Sequence, residues 1–102
     1  MPDVTIVYWR DIPAQVIVGR GRRAAKVQLS ERFEQAIDRA AMKAGLTGTD
    51  GYLGEWRKAD PVEVAGDAES VAKDEAERIE RTYDAARIKA LIDGDGWAGR
   101  PG

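Results

Sequence analysis

A run of alternating β-branched and aromatic residues near the start of the chain constrains the fold most. Residues 4–9, "VTIVYW", have the composition of a strand that is buried on much of both faces. Asp11 and Pro13 interrupt the run, because proline fixes φ and has no N–H to donate to a sheet. The alternation resumes in residues 14–19, "AQVIVG", and ends at a glycine-containing turn. The pattern therefore predicts two antiparallel strands.

A helical period replaces the alternation after residues 25–29, which predict at most a short third strand. Ser30 is a candidate N-cap, and Lys43 and Gly45 are typical of a helix end. Between them, apolar residues recur at the spacing of one helix face. These residues are Phe33, Ala36, Ile37, Ala40, Ala41 and Ala44. Because most of them are alanine, this helix can lie close against a sheet.

The second half of the chain predicts further strands and a longer helix. Residues 52–66, "YLGEWRKADPVEVAG", are typical of one strand, or of two short strands broken near Asp60 and Pro61. Asp67 is a candidate N-cap for a second helix that continues to about Ile92. At 1.5 Å per residue this helix would be roughly 39 Å long, so one end should project or pack on another chain.

Together these segments predict an α+β fold, a two-layer sandwich with two helices on a small, mostly antiparallel sheet of three to four strands. A chain of 102 residues is short enough for a single domain, which we expect to span residues 1–92. Residues 93–102, "DGDGWAGRPG", are rich in glycine, and we expect a flexible tail there.

The composition excludes several kinds of chemistry. The chain has neither cysteine nor histidine, which removes disulfides, thiolate nucleophiles, the commonest metal ligand and the commonest general base. We therefore expect no cofactor and no metal, and any catalysis would depend on carboxylates, lysine, tyrosine or hydroxyl groups. The N-terminus does not resemble a signal peptide, and no window holds the roughly 20 apolar residues of a membrane span. A cytoplasmic protein is expected.

The end of the first strand holds the strongest candidate binding site. Trp9, Arg10, Asp11 and Gln15 lie where side chains of different elements should converge. A guanidinium at this corner could clamp a carboxylate, and its aromatic neighbour could stack on a ring. The alternative is structural: Arg10 and Asp11 tie down the loop, with Arg10 paired to a helix carboxylate such as Asp38.

Other candidate residues lie further along the chain. Arg32 and Asp38 are six residues apart on the first helix and on different faces, and Asp38 should be half buried and in need of a cationic partner. Tyr52 and Trp56 should share one face of a strand, as core residues or interface anchors. Met42 is interpreted as a core residue.

A basic turn offers a second, weaker candidate site. Arg20, Arg22, Arg23 and Lys26 surround a Gly-Arg-Gly turn, which can direct backbone N–H groups at an anion while arginine supplies bidentate contacts. The alternative is a hairpin tip kept soluble by charge. A nucleic-acid surface is disfavoured, because four cations in a chain of net charge −2 fall short of the basic surface typical of such proteins.

The sequence resembles a bacterial family known as virulence factor, which occurs alone and as part of longer conserved virulence factor C proteins. Four stretches carry the resemblance: "VYWRDIPAQV" (7–16), "LSERFEQAIDRAAMKAG" (29–45), "DGYLGEW" (50–56) and, more loosely, the predicted second helix with Tyr83. The family name reflects genetic association and implies no reaction. The resemblance further implies an accessory subunit linked to folate- or corrinoid-dependent methyl-transfer proteins.

We therefore expect a non-catalytic, protein-binding accessory subunit linked to one-carbon and methyl-transfer enzymes, with a larger protein as partner. The corner and the projecting half of the second helix would be its contact surfaces, and a homodimer through that helix is the alternative to a larger partner there. Two alternatives stay open. One is a module that binds phosphate, another small anion or nucleic acid at the basic turn. The other is a histidine-free enzyme whose Arg10, Asp11 and Asp38 line a pocket, with Tyr8 or Tyr52 as acid or base.

Overall fold

The computed structural model describes residues 2–48 and 50–98. Its elements are β1 Asp3–Trp9, β2 Ile12–Val18, a 3-10 turn Gly21–Arg23, β3 Ala25–Gln28, α1 Glu31–Lys43, α2 Asp50–Gly54, β4 Trp56–Lys58, β5 Val62–Glu63, α3 Ala68–Thr82 and α4 Ala85–Asp93. The predicted α+β class with an antiparallel sheet is confirmed. Within the described residues the sheet has five strands and there are four α-helices, where two helices were predicted.

The strand order is β3-β2-β1-β4, and β5 also pairs with β1. Pro13 lies inside β2 instead of interrupting it, because the register between the first two strands shifts at this point. Tyr8 pairs with Pro13 and Val7 with Gln15, so Ala14 is the extra residue of a β-bulge. A bulge is a position where a sheet tolerates proline. Strand β2 therefore begins two residues earlier than predicted.

One face of the sheet carries the core. The register places Val4, Ile6, Val16 and Val18 on this face, and α1 and α3 pack against the strands. The buried residues of α1 are Phe33, Ala36, Ile37, Ala40 and Ala41, as the apolar stripe predicted. The core thus lies between one sheet and one helical layer, which is the predicted two-layer arrangement.

The prediction of one long second helix is wrong. Tyr83 leaves helical geometry with φ −95° and ψ 79°, and Asp84 caps α4 by accepting a backbone N–H of its first turn at 2.8 Å. Helix α4 packs against α1 and buries Ile88 and Leu91, so the half that was expected to project is covered within the chain. None of the helices in residues 2–48 and 50–98 is long and apolar enough to cross a membrane.

The predicted strand at residues 52–66 is wrong in its first part. Asp50–Gly54 forms the short helix α2, and the strands β4 and β5 begin only after it. Tyr52 and Trp56 therefore do not share a strand face. Their rings nevertheless contact each other edge to face, with centroids 6.2 Å apart.

Candidate functional site: an acidic groove beside a filled corner

The corner, defined by Trp9, Arg10 and Asp11, is filled by contacts within the chain. The Nε of Arg10 donates to the Glu55 carboxylate at 2.9 Å, and a terminal nitrogen donates to the carbonyl oxygen of Asp95 at 2.8 Å. The guanidinium also lies 5.1 Å from the ring centroids of Trp9 and Trp97. Arg10 adopts φ +54°, which is uncommon for a residue with a Cβ, and these contacts hold it there.

Asp11 makes three hydrogen bonds, one to β4 and two to the segment after α4. One carboxylate oxygen accepts from Arg57 at 2.9 Å, and the other accepts the backbone N–H of Ala98 at 2.8 Å. Its own backbone N–H donates to the carbonyl oxygen of Gly96 at 2.8 Å. Gly96 has φ +95°, and a Cβ there would lie 2.9 Å from the Trp9 ring. The corner therefore depends on a glycine at this position.

The glycine-rich segment after α4 completes the corner. Residues 94–98, part of the predicted tail, supply Asp95, Gly96 and Trp97 to it, whereas residues 99–102 lie outside the described residues. Sequence reasoning missed these three residues and Glu55. A tryptophan within a run of glycines was the only local signal, because a large apolar ring in such a segment usually needs a surface to pack on.

Two predictions about Asp38 are wrong. Its side chain is exposed on α1, not half buried, and the carboxylate that pairs with Arg10 is Glu55. The reason is α2, which was predicted as loop and strand: this short helix ends just before Glu55 and brings that carboxylate to the corner.

Gln15 and Arg32 take no part in the hydrogen bonds of the corner among the described residues. Gln15 pairs with Val7 in the sheet. Arg32 forms an ion pair with Glu80 and donates to the carbonyl oxygens of Glu80 and Tyr83. Arg32 thus joins α1 to the end of α3, at the break between the two C-terminal helices.

Glu80 also explains why Ser30 lies at the N-cap position without capping α1 through its side chain. The backbone N–H and the hydroxyl of Ser30 both donate to the Glu80 carboxylate, at 2.7 and 2.8 Å. Burial alone raises the pKa of Glu80, but the hydrogen bonds from Ser30 and the hydrogen bond and charge of Arg32 outweigh it. The pKa of Glu80 therefore lies below its ordinary value of 4.5.

The basic turn lies on the surface at one end of the sheet. Arg20 forms an ion pair with Asp3 at 3.0 Å, and the side chains of Arg22, Arg23 and Lys26 are exposed. Anion binding at this turn stays a prediction.

A groove between α1 and α2 brings several of the predicted residues together. This α1–α2 groove has a volume of about 700 Å3, and its lining includes Asp38, Met42, Asp50, Tyr52 and Leu53. Met42 and Leu53 are 62% and 66% exposed, so the interpretation of Met42 as a core residue is wrong. Met42 lies on the flank of α1 beside α2, outside the stripe that meets the sheet.

Tyr52 connects the groove to the corner. Its carbonyl oxygen accepts the indole N–H of Trp9 at 2.9 Å, and the two rings are 5.8 Å apart. Tyr52 and Asp38 also line an adjoining cleft of about 220 Å3, which Trp56 borders as well. Three of the predicted residues therefore meet here, although they were not predicted to form one site.

Carboxylates line the groove and the adjoining cleft, and no cation among the described residues lines either of them. Asp38 and Asp50 line it, and Glu34 lines the adjoining cleft with Asp38. Within residues 2–48 and 50–98, none of the three forms an ion pair, and no lysine or arginine lines either cavity. Burial raises the pKa of the Tyr52 hydroxyl, and the negative charges of Asp38 and Glu34 raise it further.

A family model described as "Virulence factor" matches residues 7–92. The chain belongs to the virulence factor family. The matched residues include the corner, the α1–α2 groove, α3 and nearly all of α4, so the resemblance carried by "VYWRDIPAQV" and "DGYLGEW" is confirmed. No curated protein and no solved structure gives a significant match to the chain.

The ionisable groups of this virulence factor domain limit the chemistry of the groove. Burial raises the pKa of Tyr8, and Tyr83 raises it further, so the hydroxyls of both Tyr8 and Tyr52 stay protonated at neutral pH. Neither tyrosine is therefore prepared to act as a base. Within the part of the chain that the structure describes, no group of three or more acidic side chains is placed to hold a metal ion.

Proposed function

We propose that this domain is a protein-binding accessory module, and that the α1–α2 groove takes a basic, amphipathic segment of a larger partner protein. One observation carries the proposal: the same groove holds exposed apolar side chains and carboxylates that form no ion pair with any described residue. Met42 and Leu53 offer an apolar contact, and Asp38 and Asp50 offer two negative charges beside it. Such a surface is complementary to a helix with an apolar anchor and flanking lysine or arginine residues.

The two parts of the groove have separate roles in this proposal. Apolar contact supplies most of the affinity, since buried apolar area contributes about 25 cal/mol per Å2. The carboxylates select the partner, because a segment without cations would have to desolvate them without compensation. The corner supports the site from beneath, since Trp9 fixes the backbone of α2 through Tyr52.

Site-specific cross-linking in the native cell tests the proposal. The photoreactive residue p-benzoylphenylalanine replaces Leu53, and the cross-linked product is identified by mass spectrometry. We expect one stoichiometric adduct, with the cross-link in a segment of the partner that carries lysine or arginine beside apolar residues. The identity of the partner then shows whether it is one of the methyl-transfer enzymes that the family resemblance implies.

Val62 provides the matched control position, because it is 62% exposed on β5 and lies outside the groove lining. The same photoreactive residue at Val62 should give no adduct with this partner. Replacing Asp38 and Asp50 together by asparagine should lower the yield from position 53 about tenfold, whereas Asp60→Asn with Glu63→Gln should not. Equal yields from both positions, or a cross-linked segment without basic residues, would overturn the proposal.

A further inference from the structure

A second cleft lies on the other side of the corner and is separate from the α1–α2 groove. It lies between the end of β1, β4 and α4 and has a volume of about 300 Å3, at the lower end of the range for small-molecule sites. Its polar lining comprises Tyr8, Asp11, Arg57, Tyr83 and Arg87. Leu91 and two alanines supply the apolar part of the lining.

Two arginine–tyrosine pairs line this Arg–Tyr cleft. The guanidinium of Arg57 lies 4.6 Å from the ring centroid of Tyr8, and that of Arg87 lies 4.0 Å from the ring centroid of Tyr83. Stacking on a ring restricts a long side chain, so both guanidinium groups are partly ordered before any ligand arrives. One pair lies on strands β1 and β4, and the other lies at the start of α4. The change of direction of the chain at Tyr83 brings the two pairs together.

The two guanidinium groups differ in what they already bind. Arg57 donates to the Asp11 carboxylate and to the carbonyl oxygen of Arg10, both at 2.9 Å. Within residues 2–48 and 50–98, the Arg87 guanidinium has no hydrogen bond or ion pair, and neither do the hydroxyls of Tyr8 and Tyr83. The cleft therefore offers one uncommitted guanidinium and two uncommitted hydroxyl groups.

The charge of the lining is +1, because Asp11 offsets one of the two arginines. The nearby ion pair of Arg78 and Glu75 adds no net charge. A monoanion would balance this lining, whereas a dianion would exceed it. An apolar part of the ligand would contact Leu91.

We infer that the Arg–Tyr cleft binds a small organic monocarboxylate with an apolar body, its carboxylate on the guanidinium of Arg87 and within reach of the hydroxyls of Tyr8 and Tyr83. The planar guanidinium matches a carboxylate through two parallel N–H···O hydrogen bonds. This site is separate from the α1–α2 groove, so its ligand does not depend on the proposed protein partner.

Titration of the intact chain by NMR tests this inference with three matched probes. Benzoate is the monocarboxylate, benzamide is its neutral isostere and phenyl phosphate is the more highly charged analogue. Benzoate should produce saturable shifts in the ring resonances of Tyr8 and Tyr83, and benzamide should bind at least about tenfold more weakly. Absence of saturation by benzoate, equal binding of benzamide or tighter binding of phenyl phosphate would each overturn it.

Two variants separate a specific site from general attraction to positive charge. Arg87→Gln removes the uncommitted guanidinium and should raise the Kd for benzoate about tenfold. Arg81→Gln removes the same charge from an exposed position of α3 outside the cleft lining and should leave the Kd within about twofold. A similar loss in both variants would contradict the assignment. The guanidinium of Arg87 forms no hydrogen bond or ion pair with any described residue, so its loss should not unfold the chain, and amide spectra of the free variants check this.

Discussion

The indole N–H of Trp9 donates to the carbonyl oxygen of Tyr52 at 2.9 Å, across 43 residues of chain. This hydrogen bond joins the corner at the end of β1 to the helix that forms one wall of the α1–α2 groove. The corner that the sequence singles out as a binding site is therefore occupied by the protein itself, and its contacts fix the neighbouring groove. The predictions below separate residues that hold the fold from residues that face a partner.

Trp9→Phe should lower the free energy of unfolding by about 2–3 kcal/mol. The change removes the donor to a partly buried carbonyl oxygen and leaves a gap beside the Tyr52 ring. Urea unfolding measures the effect. Trp56→Phe is the matched control, and because Trp56 is 37% exposed its loss should stay below about 1 kcal/mol. Equal losses of stability in the two variants would show that the hydrogen bond from Trp9 to Tyr52 is unimportant.

Arg10→Lys should cost about 2 kcal/mol, although the charge is kept. An ammonium group cannot reproduce the planar contacts of Arg10 with Glu55, the Asp95 carbonyl and two tryptophan rings. Arg20→Lys alters an ion pair whose arginine side chain is 87% exposed, and we expect a change below about 0.5 kcal/mol. Thermal and urea unfolding of both variants provide the comparison.

The stability of the domain should fall in acid partly through Glu80. Its folded-state pKa is depressed, so its hydrogen bonds stabilise the fold fully above its ordinary, unfolded-state pKa of 4.5. That contribution is lost as the pH falls through the lower folded-state pKa. Glu80→Gln should cost about 1–2 kcal/mol at pH 7 and progressively less below pH 4.

Glu77→Gln is the control for this pH dependence, because Glu77 is exposed on the same helix. Urea unfolding between pH 7 and pH 2.5 gives the free energy of unfolding as a function of pH, and the curves for wild type and Glu77→Gln should be parallel. The curve for Glu80→Gln should lie below that of wild type at pH 7 and approach it in acid. A constant difference between Glu80→Gln and wild type over this range would contradict the assigned role of the ionised carboxylate.

The break between α3 and α4 depends on a side-chain cap. Asp84→Ala removes the acceptor of a backbone N–H at 2.8 Å and should destabilise the domain by about 1 kcal/mol. Asp74→Ala, in the exposed middle of α3, should change stability by less than about 0.5 kcal/mol. Amide hydrogen exchange should localise the loss to α4, and an unchanged exchange rate there would count against the cap.

The parts of the fold that local patterns determine were predictable. The strand pair and α1 follow from apolar residues that repeat every two or every 3.6 positions, and these repeats report directly which face is buried. The helix break was not predictable from the repeat, because small apolar residues continue at heptad spacing through Tyr83 to Ala90. In the sequence, Asp84 and Arg87 resemble residues of an exposed helical turn. Only the packing of α4 on α1 shows that Asp84 is instead the N-cap of a separate helix.

The candidate site was predictable residue by residue but not as an arrangement. Asp38, Tyr52 and Trp56 were singled out, yet only α2 brings them together, and the sequence around Tyr52 favours strand over helix. The partners of Arg10 could not be predicted from the sequence for a different reason. Glu55 and Asp95 lie 45 and 85 residues away from it, and no spacing rule links such positions.

The central claim is that the α1–α2 groove binds while the corner holds the fold. The most direct measurement pairs the melting temperature with the cross-link yield from position 53, for Met42→Glu and for Arg10→Lys. Met42→Glu should melt within about 2 °C of wild type and lose the adduct, since the change affects an exposed side chain. Arg10→Lys should melt several degrees lower and, below its transition, keep the adduct. Retention of the adduct in Met42→Glu, or its loss in folded Arg10→Lys, would contradict the account.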